Sequence, residues 1–460
     1  ELGCMAWFQR WNIVFFNIQK VVNEDWTLLH WACWGNDLSA VKKLLQSPHI
    51  DINEENSAGD TAFAIAYSLR RKEIVKYFLE KEKNLDLTKK RRDGRTPLMY
   101  VCEQGPSNLV KHFLKKCDPN ITNREQKTAF YLACAKQRIE TVKVMLSYKP
   151  DKLAPELDPN KPDKYGKTPF IVACQTGSLD LVQLLVKDPR VDLYQRDNNG
   201  QTPFYVACQN GRIDVVKLLL NDQRVDVNKA DKDGWTPLYI VCEKNERYKN
   251  AGYGEIVKLL LNDARVDVNK VDKEGQTPFY IACYDGNTEI VKILLSDNRV
   301  DINKPNNNGE TPFYIACWKG CIVVVKLLLN DQRVDQTQTD NDYWVPFWMA
   351  CYDGHLEVVN SLLNNERVDV NKTNKRSESP FYIACEKGHL EIMKLLLNDK
   401  RISIKKEAFY YYIDPNEMVT RLPVDSNEYY KRRPAIEVAK EECHSDIVKL
   451  IEEFDTSNRC

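Results

Sequence analysis

The chain has 460 residues, with 66 Lys and Arg against 66 Asp and Glu, so its formal net charge is zero and its pI lies near neutral. That balance provides no field to draw in nucleic acid or an anionic membrane surface, and no apolar run reaches the roughly 18 residues needed to span a bilayer. A chain this long would ordinarily divide into two or three globular domains, but internal repetition overrides that expectation.

Taken in order, residues 1–22 come first and match no whole repeat. Trp7, Trp11, Val14, Phe15 and Ile18 make a helical apolar stripe, read as a cap over the first repeat or the remnant of an upstream one. Its polar face lacks the Lys/Arg cluster of a membrane-surface helix. The chain begins at Glu1 rather than Met, which leaves room for residues upstream.

From residue 23 a single unit recurs. Its clearest copy is residues 276–309, QTPFYIACYDGNTEIVKILLSDNRVDINKPNNNG. The Thr-Pro-Phe-Tyr-Ile-Ala-Cys start returns at Thr311, Thr202, Thr236, Thr168, Thr128, Thr96, Thr61 and Thr27, and again at Val345-Pro346, Ser379-Pro380 and faintly Pro434. Most of these anchors stand about 34 residues apart, the period of a stacked-repeat solenoid. Thr277 can cap a helix through its hydroxyl, and Pro278 suits the first helical position. Phe279, Ala282 and Cys283 share one face. Gly286 ends the helix in the left-handed conformation. Ile290, Val291, Leu294 and Leu295 form the inward stripe of a second helix. Val300-Asp301-Ile302-Asn303 is short and extended, and Asn308-Gly309 signals a turn. One unit is therefore helix, turn, helix and outward finger, and its apolar faces need stacked neighbours to be buried.

These residues resemble the ankyrin repeat. The family's Thr-Pro-Leu-His-x-Ala start is matched by Thr27-Leu28-Leu29-His30-Trp31-Ala32, and its Val-Asp-Val-Asn segment by Val225 to Asn228, Val266 to Asn269 and Val368 to Asn371. The resemblance implies an all-α ankyrin-repeat solenoid, a curved superhelical stack with β-hairpin-like fingers: repeats 1–11 over 23–403 and a capping repeat over 434–460. One departure is steady. Where the family closes its second helix with Gly, this chain has Leu-Leu-Asn-Asp-x-Arg, as at Leu219 to Arg224 and Leu328 to Arg333. Asn221 and Asn330 are then expected to take the left-handed cap role. The resemblance also implies that His30 bonds the neighbouring finger, and that Asn228 and Asn269 are the kind of Asn a dedicated oxygenase hydroxylates.

Several stretches break the pattern. The second repeat has Tyr67 where others have Cys. The finger before Thr96 carries Lys89, Lys90, Arg91 and Arg92, read as a solvated tip or a patch for an acidic partner or import receptor. Residues 147–165 and 246–254 are surface insertions. Residues 404–433 hold Phe409, Tyr410, Tyr411, Tyr412, Tyr429 and Tyr430, too aromatic for a disordered linker, so an ordered excursion that packs back on the stack is expected, with partner contact as a second reading.

Fifteen cysteines could suggest a disulfide scaffold. Ten hold one repeat slot: Cys33, Cys102, Cys134, Cys174, Cys208, Cys242, Cys283, Cys317, Cys351 and Cys385. Packed neighbouring helices lie roughly 8–10 Å apart, beyond the about 7 Å a disulfide spans, so this row reads as buried free thiols in a reducing compartment, cytoplasmic with the nucleus possible. No Cys-x-x-Cys or His-x-x-x-His pair occurs, and the glycines are punctuation. No catalytic set, cofactor or metal is expected. Asp226, Asp267, Asp301, Asp335 and Asp369 repeat with the scaffold, as do Tyr131, Tyr205, Tyr239, Tyr280, Tyr314 and Tyr382, which stand where the family has His and are expected to bridge adjacent repeats.

Function must then lie where the copies differ. In the family, partners lie in a concave groove against the fingers and first helices. The matching variable positions here are Trp34, Trp235, Tyr284, Trp318, Trp344 and Tyr352, with Asp285, Lys319 and Asp353 beside them. Exposed Trp and Tyr are typical anchors; the bland reading is that these rings only stack and stiffen the array. The expectation is a non-enzymatic scaffold for a protein partner, with no nucleic acid and no membrane insertion. The alternatives are a structural subunit of a cytoskeletal or membrane-associated assembly, or the ankyrin portion of a longer protein.

Overall fold

In the computed structural model, which describes residues 26–81, 84–149, 155–244, 252–403, 408–411 and 430–457, the repeat chemistry resolves into helix pairs. Contacts divide the chain into two units, Glu1–Ala207 and Cys208–Cys460. The first contains α1 (Leu28–Trp34), α2 (Leu38–Leu44), α3 (Ala62–Ser68), α4 (Lys72–Lys81), α5 (Pro97–Gln104), α6 (Ser107–Leu114), α7 (Ala129–Ala135), α8 (Ile139–Ser147), α9 (Pro169–Thr176) and α10 (Leu179–Val186). The boundary falls within α11 (Pro203–Gln209). The second unit continues with α12 (Ile213–Leu220), α13 (Pro237–Glu243), α14 (Tyr253–Leu261), α15 (Pro278–Tyr284), α16 (Thr288–Leu295), α17 (Pro312–Trp318), α18 (Ile322–Asn330), α19 (Pro346–Tyr352), α20 (Leu356–Leu363), α21 (Pro380–Glu386), α22 (Leu390–Asn398), β1 (Ala408–Tyr411), β2 (Tyr430–Arg433), α23 (Ala435–Glu441) and α24 (Ser445–Ser457).

Each first helix starts as its sequence dictates. The Thr277 hydroxyl accepts the Tyr280 N–H at 3.0 Å, and Pro278 opens the helix without needing a donor. The same cap recurs at Thr311, where the hydroxyl accepts from Tyr314, and at Ser379, where it accepts from Tyr382. Gly286 follows α15 at φ +68°, left-handed as its position requires. Successive first helices pack on one another: α13 on α15, α15 on α17, α17 on α19, α19 on α21 and α21 on α23, while α1 packs on α3, α5 on α7 and α7 on α9 in the other unit. Phe279, Ala282 and Cys283 are fully buried, as are Val291 and Leu294. Leu295, expected in the inward stripe, is only half-buried, because it closes the helix. All ten cysteines of the repeated slot are buried; burial pushes the Cys33 thiol up to about 12.

The link between repeats is polar. Asn269 uses both ends of its amide: Nδ2 donates to the Arg299 carbonyl at 2.7 Å and Oδ1 accepts the Asp301 N–H at 2.8 Å. Asn228 and Asn303 do the same one repeat away. Asp226 and Asp267 each accept the N–H of the Asn two residues on, which presents that amide. Four tyrosines of the row make the expected bridge to the next repeat, Tyr239 by donating to Gln276 at 3.0 Å. Tyr280 donates to Glu310 at 2.9 Å, Tyr314 to Asp340 at 3.1 Å and Tyr131 to Asp163 at 2.7 Å, each a carboxylate of the next finger.

Two expectations need correction. Asn221 and Asn330 are not left-handed: Asn221 has φ −70° and ψ −15°, and Asn330 is the last residue of α18. The helix before Asn221 is closed instead by an arginine from the following repeat, as are two others. Arg265, gripped by its own Asp263 at 2.6 Å, donates Nη2 to the Leu220 carbonyl at 2.8 Å. Arg333, gripped by Asp331, donates to the Leu295 carbonyl at 2.8 Å, and Arg190, gripped by Asp188, to the Leu146 carbonyl at 2.7 Å. A guanidinium at orphan C-terminal carbonyls answers both the missing hydrogen bonds and the helix dipole, which is what the Asp-x-Arg segment adds to the repeat. The fingers, expected to be hairpin-like, are turns joined by single backbone bonds such as Asn307 N–H to the Glu274 carbonyl at 2.9 Å; among the described residues they carry one isolated bridge, Glu55 with Thr61.

The interruptions sort similarly. Gly252 is left-handed at φ +65° and Tyr253 opens α14, so the last residues of 246–254 serve the repeat itself; 246–251 lie outside the described residues, as do 150–154 within 147–165. In 404–433, β1 and β2 pair antiparallel, with Ala408 opposite Arg433 and Tyr411 opposite Tyr430. Tyr412, Tyr429 and the stripe over 1–22 lie outside the described residues.

Candidate functional site

Two repeat slots in the Cys208–Cys460 unit carry most of the candidate rings. One is the finger base, directly before the helix cap; it holds Trp235, Gln276, Glu310, Trp344 and Glu378. An aspartate at the start of the finger fixes each tryptophan backbone: the Trp235 N–H donates to Asp231 at 3.0 Å and the Trp344 N–H to Asp340 at 2.8 Å. The other slot is the end of the first helix, with Tyr284, Trp318, Tyr352 and Glu386.

The tyrosine row lies between these slots and joins them. Trp235 stacks on Tyr239 at 5.4 Å and 23°. Trp344 stacks on Trp348 at 5.0 Å and 25°, and Trp348 on Tyr352 at 5.3 Å and 18°, a continuous three-ring stack from finger base to helix end. Trp318 stands edge-on to Tyr314 at 6.2 Å. Trp235, Trp318, Trp344 and Tyr352 are half-buried, whereas Tyr284 keeps 39% of its surface exposed.

Lysines extend the row across repeats. Lys319 Nζ lies 4.7 Å from the Tyr284 ring centre and 5.0 Å from that of Trp318, so one ammonium spans two repeats. Lys387, in the same slot two repeats on, reaches back over Tyr352 at 4.9 Å. Asp353 occupies this slot exposed and Asp285 half-buried. Burial, reinforced by the charge of Glu243 and opposed by Lys244, pushes the Asp285 carboxyl up to about 6. Asp285 thus places a carboxyl of raised pKa beside the Tyr284–Lys319–Trp318 group.

Beneath the rings, a second set of side chains pins the helix ends. His355 Nε2 bonds the Trp318 carbonyl at 2.9 Å, His389 Nε2 the Tyr352 carbonyl at 2.9 Å, His444 Nε2 the Glu386 carbonyl at 2.9 Å, and Asn287 Nδ2 the Lys244 carbonyl at 2.9 Å. The Tyr284 carbonyl has in this slot only the thiol of Cys321, at 3.9 Å, a weak donor. Glycine is required opposite these rings. Gly354 sits at φ +78°, and a Cβ there would lie 2.6 Å from the His389 ring. The three histidines, isolated in sequence, therefore share one role.

The remaining candidates are dispersed. Trp34, 49% exposed, ends α1 in the Glu1–Ala207 unit, with Trp31 5.9 Å away. His30 bonds the Asp60 carbonyl of the next finger at 2.8 Å. In the basic run, Lys89 pairs with Glu55 at 2.8 Å, and Arg91 is clamped between Asp60 and the Tyr100 hydroxyl; only Lys90 and Arg92 stand exposed. Tyr410 and Tyr411 lie on β1 and Tyr430 on β2. Sequence reasoning missed Lys387 and Trp348. The signal was slot arithmetic: Lys387 holds the slot of Lys319, and Trp348 that of Tyr314.

Among the described residues, no group of three or more His, Cys, Asp or Glu is placed to hold a metal, and no helix is long and apolar enough to cross a membrane. What the architecture defines is an all-α repeat solenoid. A family model described as ankyrin repeats (3 copies) matches residues 29–123, 98–197, 188–251, 248–340, 324–408 and 347–458. The chain belongs to the ankyrin-repeat family, whose repeats are generally protein–protein interaction modules and typically non-enzymatic.

Proposed function

We propose that this chain is a non-enzymatic scaffold that binds a polypeptide partner along the finger bases and first-helix ends of residues 235–387. The observation that carries this reading is Lys319 shared between Tyr284 and Trp318. The repeated tyrosine row is buried; here an exposed ring, a half-buried ring and an ammonium form one surface crossing a repeat boundary. Its backbone is already fixed, so little ordering entropy is lost on binding. Trp235 and Trp344 serve as a rigid platform, since each is stacked on its own repeat. Tyr284, Trp318 and Lys319 are the contact anchors, with Asp285, Tyr352 and Asp353 setting selectivity and Trp34 a separate contact. Lys90, Arg92, Tyr410, Tyr411 and Tyr430 are secondary contacts. The buried cysteine row fits a reducing compartment.

The test is substitution of Trp318 by Ala in the full chain. Affinity for a partner captured from the native source should fall by about tenfold, the loss typical of an anchor residue. Undiminished affinity in a variant with the wild-type circular dichroism spectrum would remove Trp318 from the interface.

A further inference from the structure

The first helices from α13 to α21 end in an ordered pattern. The last helical residue and the cap after it read Glu243-Lys244, Tyr284-Asp285, Trp318-Lys319, Tyr352-Asp353 and Glu386-Lys387 in successive repeats. Three rings stand between two glutamates, and the cap charge changes sign at every step. The order is symmetric about Trp318-Lys319.

The two ends of this row are closed and its middle is open. Lys244 pairs with Glu243 at 3.1 Å, and Lys387 with Glu386 at 3.0 Å. Among the described residues, Asp285, Lys319 and Asp353 make no ion pair. Lys319 and Asp353 are exposed and Asp285 is half-buried. These charges do not cancel one another across repeats, because Lys319 lies over the Tyr284 and Trp318 rings instead. An aromatic strip bounded by self-neutralised polar ends has the core-and-rim anatomy of an interface.

Spacing decides which kind of segment fits. These first helices pack in succession, and packed helix axes stand roughly 8–10 Å apart. A polyproline II segment has three residues per turn and rises about 9.3 Å per turn, so every third side chain returns to one face in step with the repeats. A β-strand covers a similar length in three residues, but its third side chain points to the opposite face. An α-helix brings a side chain back to one face after seven residues and about 10.5 Å, and it docks through several anchors in each two turns. This row offers one ring and one charge per repeat. Aromatic-lined grooves are the usual seat of proline-rich segments. Ammonium groups already lie over Tyr284, Trp318 and Tyr352, so basic groups of a partner are repelled from the rings and directed to Asp285 and Asp353.

Resting on the reading of this face as the partner surface, we propose that the helix ends of residues 284–353 bind a proline-rich polyproline II segment of the order basic-x-x-acidic-x-x-basic. Its outer charges meet Asp285 and Asp353, its central carboxylate meets Lys319, and its prolines pack among the three rings. The alternation sets the register, since a slip by one repeat places like charges together. The symmetric order reads the same in either chain direction.

Calorimetric titration of the full chain with synthetic peptides tests this. Arg-Pro-Pro-Glu-Pro-Pro-Arg should bind saturably, and the charge-inverted Glu-Pro-Pro-Arg-Pro-Pro-Glu about tenfold more weakly or worse, because all three pairs turn repulsive. Lys319→Glu should reverse the preference, so that Arg-Pro-Pro-Arg-Pro-Pro-Arg binds tighter than the peptide with a central Glu. Asp353→Lys, at a second exposed position that touches none of the Lys319 ring contacts, should weaken the first peptide on its own. A helical peptide carrying Arg, Glu and Arg seven residues apart should bind more weakly than the first. The proposal is overturned if the first peptide does not bind at about 5 mM, a concentration that would reveal even millimolar affinity, if the inverted peptide binds equally well, if the helical peptide binds tighter, or if neither variant changes the ranking. Each of those results leaves the broader reading to the Trp318→Ala measurement on the captured partner, so the two fail separately.

Discussion

Replacing Arg265 by alanine isolates what the Asp-x-Arg segment does. Arg265 is half-buried, forks onto Asp263 at 2.6 Å and donates to the Leu220 carbonyl at 2.8 Å, with longer reaches to the carbonyls of Val225 and Asp222. A hydrogen bond to a charged group is worth about 1.5–3 kcal/mol when buried, and roughly half of that here because water reaches the site. A cation at a helix C-terminus adds about 0.3–1 kcal/mol. The ion pair with Asp263, between residues two apart, adds at most about 1 kcal/mol. The loss on Arg265→Ala is therefore about 2 kcal/mol. Arg265→Lys keeps the charge but not the fork and should lose about half as much. Urea titration followed by circular dichroism reads both. Losses within about 0.5 kcal/mol, the range of ordinary surface substitutions, would show that the arginine does not close the preceding helix.

Three further outcomes follow from particular contacts. Gly354→Ala forces a left-handed residue against the His389 ring and should destabilise by about 2 kcal/mol or more, whereas His389→Ala in the same background should recover part of that loss; thermal melts of the two variants check it. Tyr280→Phe removes the bond to Glu310 and leaves that carboxylate with Asn306 alone, at a cost of about 1 kcal/mol in a urea titration. Asp285 has its carboxyl raised to about 6, so the stabilising contribution of its neutral form is complete below the ordinary carboxylate range and is lost as pH rises through about 6. Asp285→Asn should hence be more stable than wild type at pH 7, by about 1 kcal/mol after allowance for its partial exposure, and indistinguishable at pH 4; a gain that persists at pH 4 would refute the assignment.

The helix pairs were legible because each is specified locally. Thr277, Pro278 and Gly286 act on their own turn, and the apolar spacing marks the buried face. The helix ends were not legible, because their partners are remote. The carbonyl of Leu220 is closed by an arginine 45 residues away, and no local reading of Asn221 reveals that. Two residues of the basic run find remote partners in the same way, since Asp60 and Glu55 on the preceding finger take up Arg91 and Lys89. For the candidate face, sequence identified which rings vary between copies. It did not show that Trp344 lies against Trp348, or that Lys319 reaches back over Tyr284, because those contacts depend on how one repeat lies on the next.

The face itself is tested most directly by hydroxyl-radical footprinting of the full chain with and without its captured partner. The account predicts that oxidation of Tyr284 and Trp318 falls sharply on binding, while Tyr165 and Tyr194, exposed in the Glu1–Ala207 unit, oxidise as before. Unchanged oxidation of Tyr284 and Trp318 in a saturated complex, with protection elsewhere, would contradict it.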